Sequence, residues 1–328
     1  LYSQNSGLIL LDGDAVTLQE LTIDGEFTHG AGDHHIFIRG SVVNNGTLTL
    51  SSDLSDGQLT IMLDDSSSLQ GDGTLRLVGD ASGGPNLTVE DDAVASIGAG
   101  LTVEIGSRVS IPTNSSITLD GMMRTLAGIN PITVQGDLAG SGVLSADQND
   151  ILLKQDTTLT GLTLTTSGDH RFLIDQGTVV FKNGVHNTGL VQLGDDLERL
   201  DIRGEFINDG VVLIGDPQID EISLLRLYDR AEINGAGVIG LGSHEGAYAT
   251  MSVLTGTATI GPDQTVMGHG EIRTELKTKL VTRVTIRSRP TTSPLVLQHW
   301  PLSARGRDIS PGEGRLPCVA WPRAPPRV

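Results

Sequence analysis

The stretch NTGLVQLGDDLERLDIRGEFINDGVVLI, residues 187–214, decides the fold. It opens on Asn187-Thr188-Gly189 and returns near its end to Asn208-Asp209-Gly210, and each phrase runs straight into apolar residues, Leu190-Val191 and Val211-Val212. Asn and Gly tolerate left-handed backbone angles, so each phrase reads as a tight corner that launches a strand. The same phrase occurs at Asn5-Ser6-Gly7 and Asn44-Asn45-Gly46. A second phrase, Gly-x-Gly before a strand, occurs at Gly71-Asp72-Gly73, Gly140-Ser141-Gly142, Gly235-Ala236-Gly237 and Gly268-His269-Gly270.

Between such corners, segments such as Leu48-Thr49-Leu50, Leu75-Arg76-Leu77, Leu101-Thr102-Val103-Glu104-Ile105 and Ile132-Thr133-Val134 alternate apolar and polar residues. That period of two describes short strands with one buried face. No stretch of about 10 to 12 residues carries helical periodicity. Short strands and frequent turns leave a sandwich, a barrel, a propeller or a solenoid. Aromatic residues are only 3% of the chain, and both tryptophans, Trp300 and Trp321, lie outside the repetitive part. Sandwiches and propellers draw on large rings, whereas a parallel β-helix stacks Val, Ile and Leu and places Gly and Asn at its corners.

The expected fold is therefore all-β, a right-handed parallel β-helix (β-solenoid) over residues 1–275. At roughly 20 to 25 residues per coil it makes about a dozen coils, each adding about 4.8 Å to a rod. No strict six-residue apolar period supports the left-handed alternative. An internal duplication of about 17–75 in 158–241 is suggested by matching phrases. Thr17-Leu18-Gln19-Glu20-Leu21-Thr22-Ile23 matches Thr158-Leu159-Thr160-Gly161-Leu162-Thr163-Leu164, Gly32-Asp33-His34-His35-Ile36 matches Gly168-Asp169-His170-Arg171-Phe172, and Gly46 matches Gly189.

Charge divides the chain. Residues 1–276 hold 12 Lys+Arg against 38 Asp+Glu, a net of −26, and residues 277–328 hold 10 against 2, a net of +8. An acidic body repels phosphate backbones and anionic lipid headgroups, which argues against a nucleic-acid or membrane-surface partner for that part. No apolar run approaches a bilayer span, and the start at Leu1, without an initiator Met or a signal segment, is expected of a fragment or a mature piece. The one cysteine, Cys318, excludes a disulfide framework in the body.

From about Lys277 the turn phrases stop, no Asn follows, and eight of the 13 prolines are found. Proline cannot donate to a strand ladder, so residues 276–328 are expected to form a basic, Pro/Arg-rich, disordered tail outside the solenoid. A frameshift near residues 274–278 would produce such a break; the DNA sequence tests it, since the other frame must then resume the Asn-x-Gly and Gly-x-Gly phrases.

The Asn-x-Gly and Gly-x-Gly phrases over roughly residues 1–273 resemble those of bacterial secreted β-helix proteins, the autotransporter passengers and filamentous-haemagglutinin-like exoproteins with a pectin-lyase-like fold. That resemblance implies export and a place at the cell surface or in the surrounding medium. The leading expectation is a structural or adhesive scaffold without catalytic activity, with an extracellular polysaccharide or a host or matrix surface as its partner. The alternatives are a polysaccharide-processing lyase or glycoside hydrolase and a noncatalytic glycan-binding module. Pectin-degrading hydrolases of this fold combine acidic residues, a Gly-His-Gly and a downstream Arg-x-Lys. Gly268-His269-Gly270 makes His269 the catalytic candidate, with acidic pairs at Asp64-Asp65, Asp91-Asp92 and Asp195-Asp196. Two carboxylates must flank a scissile bond, yet Asn-Thr-Asp is absent and no Arg-x-Lys follows His269. His269 reads instead as the variable residue of a turn, held elsewhere by Asp72, Ser141 and Ala236.

For metals, Asp91, Asp92, Asp195 and Asp196 are candidate calcium ligands through carboxylate oxygens, without the tandem nonapeptides of calcium-dependent β-rolls. His34 and His35 fall in one copy of the repeat and His170 in the other, where three or four converging ligands are not expected. Each Gly-x-Gly is followed by a strand instead of a helix, which excludes a nucleotide loop. The expectation is no cofactor beyond calcium.

Overall fold

The structure, a computed structural model, describes residues 15–29, 34–51, 59–79, 84–128, 131–194, 197–215, 222–242, 248–275, 277–282, 285–287 and 296–298. Its strands stack in parallel into a β-solenoid of about 11 turns, with no helix among the described residues. Each turn contributes three strands, so three ladders run the length of the rod. Face A is a 12-stranded sheet from Glu26–His29 to Lys279–Thr282. Faces B and C are counted as one 24-stranded sheet because the first strands, Ala15–Ile23 and His34–Asn44, bend across both. The bend is a register shift between Gln19 and Leu21. Glu20 takes φ 47° there, and its carboxylate accepts the Ser41 N–H at 3.0 Å.

Turn length varies without disturbing the ladders. On face A, Leu75 pairs with Val103 across a long turn, and Val103 pairs with Met123 across a shorter one. The extra residues lie in the corners, where added chain costs little closure entropy. The alternation predicted from sequence sets which side chains enter. On face B one inward column runs Ile36, Ile61, Leu87, Val109, Val134, Leu153, Ile174, all buried. Each such residue contributes about 1.5–3 kcal/mol of burial. Phe181 and Phe206 form a ring pair within the core, 5.5 Å apart between centroids.

The Asn of Asn-x-Gly closes its own corner: Asn187 Oδ1 accepts the Gly189 N–H at 3.1 Å, and Asn44 Oδ1 that of Gly46 at 3.2 Å. The glycines are needed for closeness. At Gly268 φ is 117°, and a Cβ would overlap the Leu241 carbonyl oxygen of the turn beneath.

The two phrases do not each mark one corner. Gly71-Asp72-Gly73 and Gly140-Ser141-Gly142 turn the chain from face C to face A, Gly235-Ala236-Gly237 from A to B, and Gly268-His269-Gly270 from B to C. Asn44-Asn45-Gly46 lies at C to A, but the phrases at 187 and 208 lie at A to B; Asn5-Ser6-Gly7 falls outside the described residues. The repeat match is out of step in the same way. Leu18 lies on face B and its counterpart Leu159 on face C, whereas Ile36 and Phe172 share face B.

The ladders continue beyond residue 275. Lys279–Thr282 pairs with Thr257–Ile260, Thr285–Arg287 with Thr265–Gly268, and Val296–Gln298 with Glu271–Thr274. Lys279-Leu280-Val281-Thr282 keeps the strand alternation although the corner phrases have stopped, and Leu280 is buried. The tail expected over 276–328 lies outside the described residues from 299 on.

Candidate functional site

His269 follows the face B strand Thr265–Gly268 at the B-to-C corner, and its backbone N–H donates to the Leu241 carbonyl at 2.7 Å. Asp64, Asp65, Asp91 and Asp92 occupy the same corner far down the rod. Asp91 and Asp92 follow the strand Asn86–Val89, eight rungs below Thr265–Gly268, or about 38 Å at the rung spacing of a parallel sheet. Two carboxylates that share a glycosidic bond lie about 5 to 9.5 Å apart. Asp195 and Asp196 fall outside the described residues; the strand before them, Leu190–Leu193, is three rungs below, about 14 Å. The structure does not bring the described acidic pairs to His269.

Asp64 and Asp91-Asp92 lie on successive turns, yet the side chains of the lower pair are spent locally. Asp64 pairs with Arg39, and Asp65 Oδ1 accepts the Val94 N–H at 3.3 Å. Among the described residues, no three His, Cys, Asp or Glu side chains converge as a metal site, Asp91 and Asp92 included. His35 and His170 are six rungs apart along face B; His35 stacks on Phe37 at 6.3 Å, and His170 Nδ1 lies 3.6 Å from Asp150 Oδ1.

Charged groups do assemble, in rung-to-rung columns. On face A, Glu104 is sandwiched in register between Arg76 and Arg124, at 3.2 Å from Arg76 Nε and 3.0 Å from Arg124 Nε. On face C, Asp201 is 1% exposed and accepts from Arg226 Nε at 2.6 Å, with Arg203 at 3.4 Å. Arg203 also lies over the Tyr228 ring at 4.5 Å, where the ring face attracts the guanidinium. At the A-to-B corner His186 Nε2 meets Asp209 Oδ2 at 2.8 Å. The Ala236 backbone N–H, and then His186, hold the Asp209 carboxyl below its ordinary 3.8. An open hollow of about 270 Å³ lies on face A, lined by Thr49, Arg76, Val78, Leu126, Ala127 and Gln148, with no carboxylate in its wall.

A polar ladder crosses the core at the A-to-B corner. Asn187 Nδ2 donates to Asn208 Oδ1 at 2.9 Å, and Asn208 Nδ2 to Gln264 Oε1 at 3.0 Å, with all three side chains buried. Gln264 is two turns above Asn208 and reaches it across Gly235-Ala236-Gly237, whose glycines leave the space: a Cβ on Gly237 would run into Asn208 Nδ2. Gln264 also donates to the Asn234 carbonyl at 2.8 Å. Sequence reasoning misses these columns because their members stand one or more whole turns apart in the chain.

Comparison with protein-family models, with curated proteins and with solved structures finds no match. The class is therefore that of the fold, a parallel β-solenoid with rung-to-rung charge columns. No helix among the described residues is long and apolar enough to cross a membrane.

Proposed function

We propose that the chain is an exported structural or adhesive scaffold, working at a cell surface or in the surrounding matrix, with a polysaccharide or a matrix surface as its partner. The observation that carries this reading is the parallel stack whose outward charges pair from rung to rung, as Arg76, Glu104 and Arg124 do. Such pairing stiffens a rod and presents a patterned exterior. The resemblance of the corner phrases to those of secreted β-helix proteins supports the location.

The test uses the purified chain on surfaces coated with acidic polysaccharides or matrix, with soluble product measured alongside, in wild type and His269→Ala. The scaffold reading expects retention on the surface with no product from either protein. Product release that disappears in His269→Ala would overturn it in favour of a polysaccharide-processing enzyme. Saturable binding to one glycan without product would replace it with a glycan-binding module.

A further inference from the structure

Four of the five phenylalanines, Phe27, Phe172, Phe181 and Phe206, lie in the core, and the fifth does not. Phe37 sits where the strand His34–Asn44 forms face B, between the inward Ile36 and Ile38, so alternation turns its ring outward, half-buried. The groups beside it are planar. His35 and Arg39 stand two residues to either side on the same face, the imidazole stacked at 6.3 Å between centroids and the guanidinium over the ring at 5.7 Å. Asp64, on the next rung, pairs with Arg39 and holds it in place. In register, Thr17 lies below Phe37 and Met62 above it, with Thr60 above His35 and Gln19 below Arg39. His35, Thr17 and Gln19 are exposed. The group covers three rungs by five residues, roughly 10 × 13 Å.

We propose that the row His35, Phe37 and Arg39, with Met62 and Asp64 on the rung above, is a platform for an uncharged sugar ring of a polysaccharide. The inference rests on the polysaccharide-partner reading given above and assigns that partner a place on the rod. A pyranose presents a face of C–H groups edged by hydroxyls, and both parts are matched here. Phe37, His35 and Met62 supply ring and apolar surface for the C–H face. The guanidinium of Arg39 donates to a hydroxyl, and the carboxylate of Asp64 accepts from one. Thr17, Thr60 and Gln19 can do both at the margin. Charge selects among polysaccharides. Arg39 and Asp64 cancel each other, and a body of net −26 over residues 1–276 repels a chain of carboxylates or sulfates. A protein partner is a poorer fit, because roughly 130 Å² is far below the ~800 Å² that each side of a stable interface buries. One phenyl ring and one ion pair recognise the shape of a sugar ring more than its identity. Each contact is therefore weak, and several neutral glycans are held alike.

Co-sedimentation of the full chain with beads carrying a neutral glucan, a neutral galactan or polygalacturonate, at low and high salt, tests it. Both neutral polymers should retain the wild type equally well at either salt concentration, because contacts to an uncharged ring are not screened. Phe37→Ala should weaken retention about tenfold or more, and Phe37→Tyr, which keeps the ring, should preserve it. Arg39→Ala and His35→Ala should each weaken it severalfold. Val94→Ala, at an exposed apolar side chain on face C, should leave it unaltered. Should Phe37→Ala lose its strand circular dichroism, Arg39→Ala and the exposed His35→Ala carry the same test. Retention on polygalacturonate alone, or retention on neutral beads that is the same in wild type and in the Phe37 and Arg39 variants, overturns the platform and leaves the polysaccharide-partner reading standing. No retention on any of the three polymers overturns both.

Discussion

Replacing Asn208 with Ala tests the internal polar ladder directly. The side chain is fully buried, accepts from Asn187 Nδ2 and donates to Gln264 Oε1. Truncation leaves Gln264 Oε1 without its donor in a place where Gln264 is 1% exposed. Asn187 Nδ2 keeps the Val211 carbonyl at 3.3 Å, so only one group is fully stranded. An orphaned buried acceptor costs about 1–3 kcal/mol, and the lost bond adds about 1, giving about 2–4 kcal/mol in all. Asn208→Asp should cost more, because it buries a charge and sets two acceptors against each other. Urea unfolding followed by far-UV circular dichroism is the assay, since both tryptophans lie at 300 and 321. Hydrogen exchange should localise the loss to Gly210 and Gly237, whose N–H groups donate to the Asn187 and Asn208 carbonyls. The control is Asn45→Ala, whose exposed bond to Asp24 should be worth about 0.5 kcal/mol or less. If Asn208→Ala unfolds at the same urea concentration as Asn45→Ala, the ladder does not hold the turns together and the reasoning fails.

Three further outcomes follow from the same geometry. Gly268→Ala should destabilise by more than His269→Ala, by about 2 kcal/mol or more, because only the glycine's φ of 117° and closeness to Leu241 are demanded by the corner; thermal unfolding of the two variants ranks them. Asp201→Ala should cost about 3 kcal/mol, since it strands the largely buried Arg226, while Glu104→Ala, whose arginines are 49% and 38% exposed, should cost about 1 kcal/mol and less in high salt; urea unfolding at two salt concentrations separates them. Asp209, held below 3.8, favours the folded state above the unfolded carboxyl value, and that contribution is lost as the pH falls through its folded value. Asp209→Asn should therefore lose less stability than the parent on acidification below about pH 4, and a carboxyl titration by NMR gives the direction of the shift independently.

The strands are legible in the sequence because alternation is local: Leu75-Arg76-Leu77 places two side chains in and one out whatever its neighbours do. The corners that carry these phrases are legible for the same reason, since close backbone approach and positive φ favour Gly or Asn there, whereas Ser66, Asp92 and Asp156 take positive φ at corners without such a phrase. What the phrases do not carry is which corner. All three impose the same local demand, so Gly71-Asp72-Gly73, Gly235-Ala236-Gly237 and Gly268-His269-Gly270 read alike while turning the chain between different faces. Face assignment depends on counting strands through turns of unequal length, and one miscounted loop shifts everything after it. Gln264 is unreadable for another reason: it continues an asparagine ladder with a different residue type, two turns from its partner. The loss of corner phrases sets the expected end of the solenoid, although Lys279–Thr282 needs only alternation to add a further rung.

The site is less legible than the fold because a solenoid separates chain neighbours from spatial ones. Residues that could act together stand one turn apart on one face, so Arg76, Glu104 and Arg124 form a unit despite wide and unequal spacing in the chain. Gly-His-Gly, a continuous motif, does not by itself bring the described acidic pairs to His269. The groups able to complete a site around His269 must come from the corner one rung away, and the described acidic pairs lie eight or more rungs down. Substitutions that share a column should therefore couple, while equally spaced ones on different faces should add.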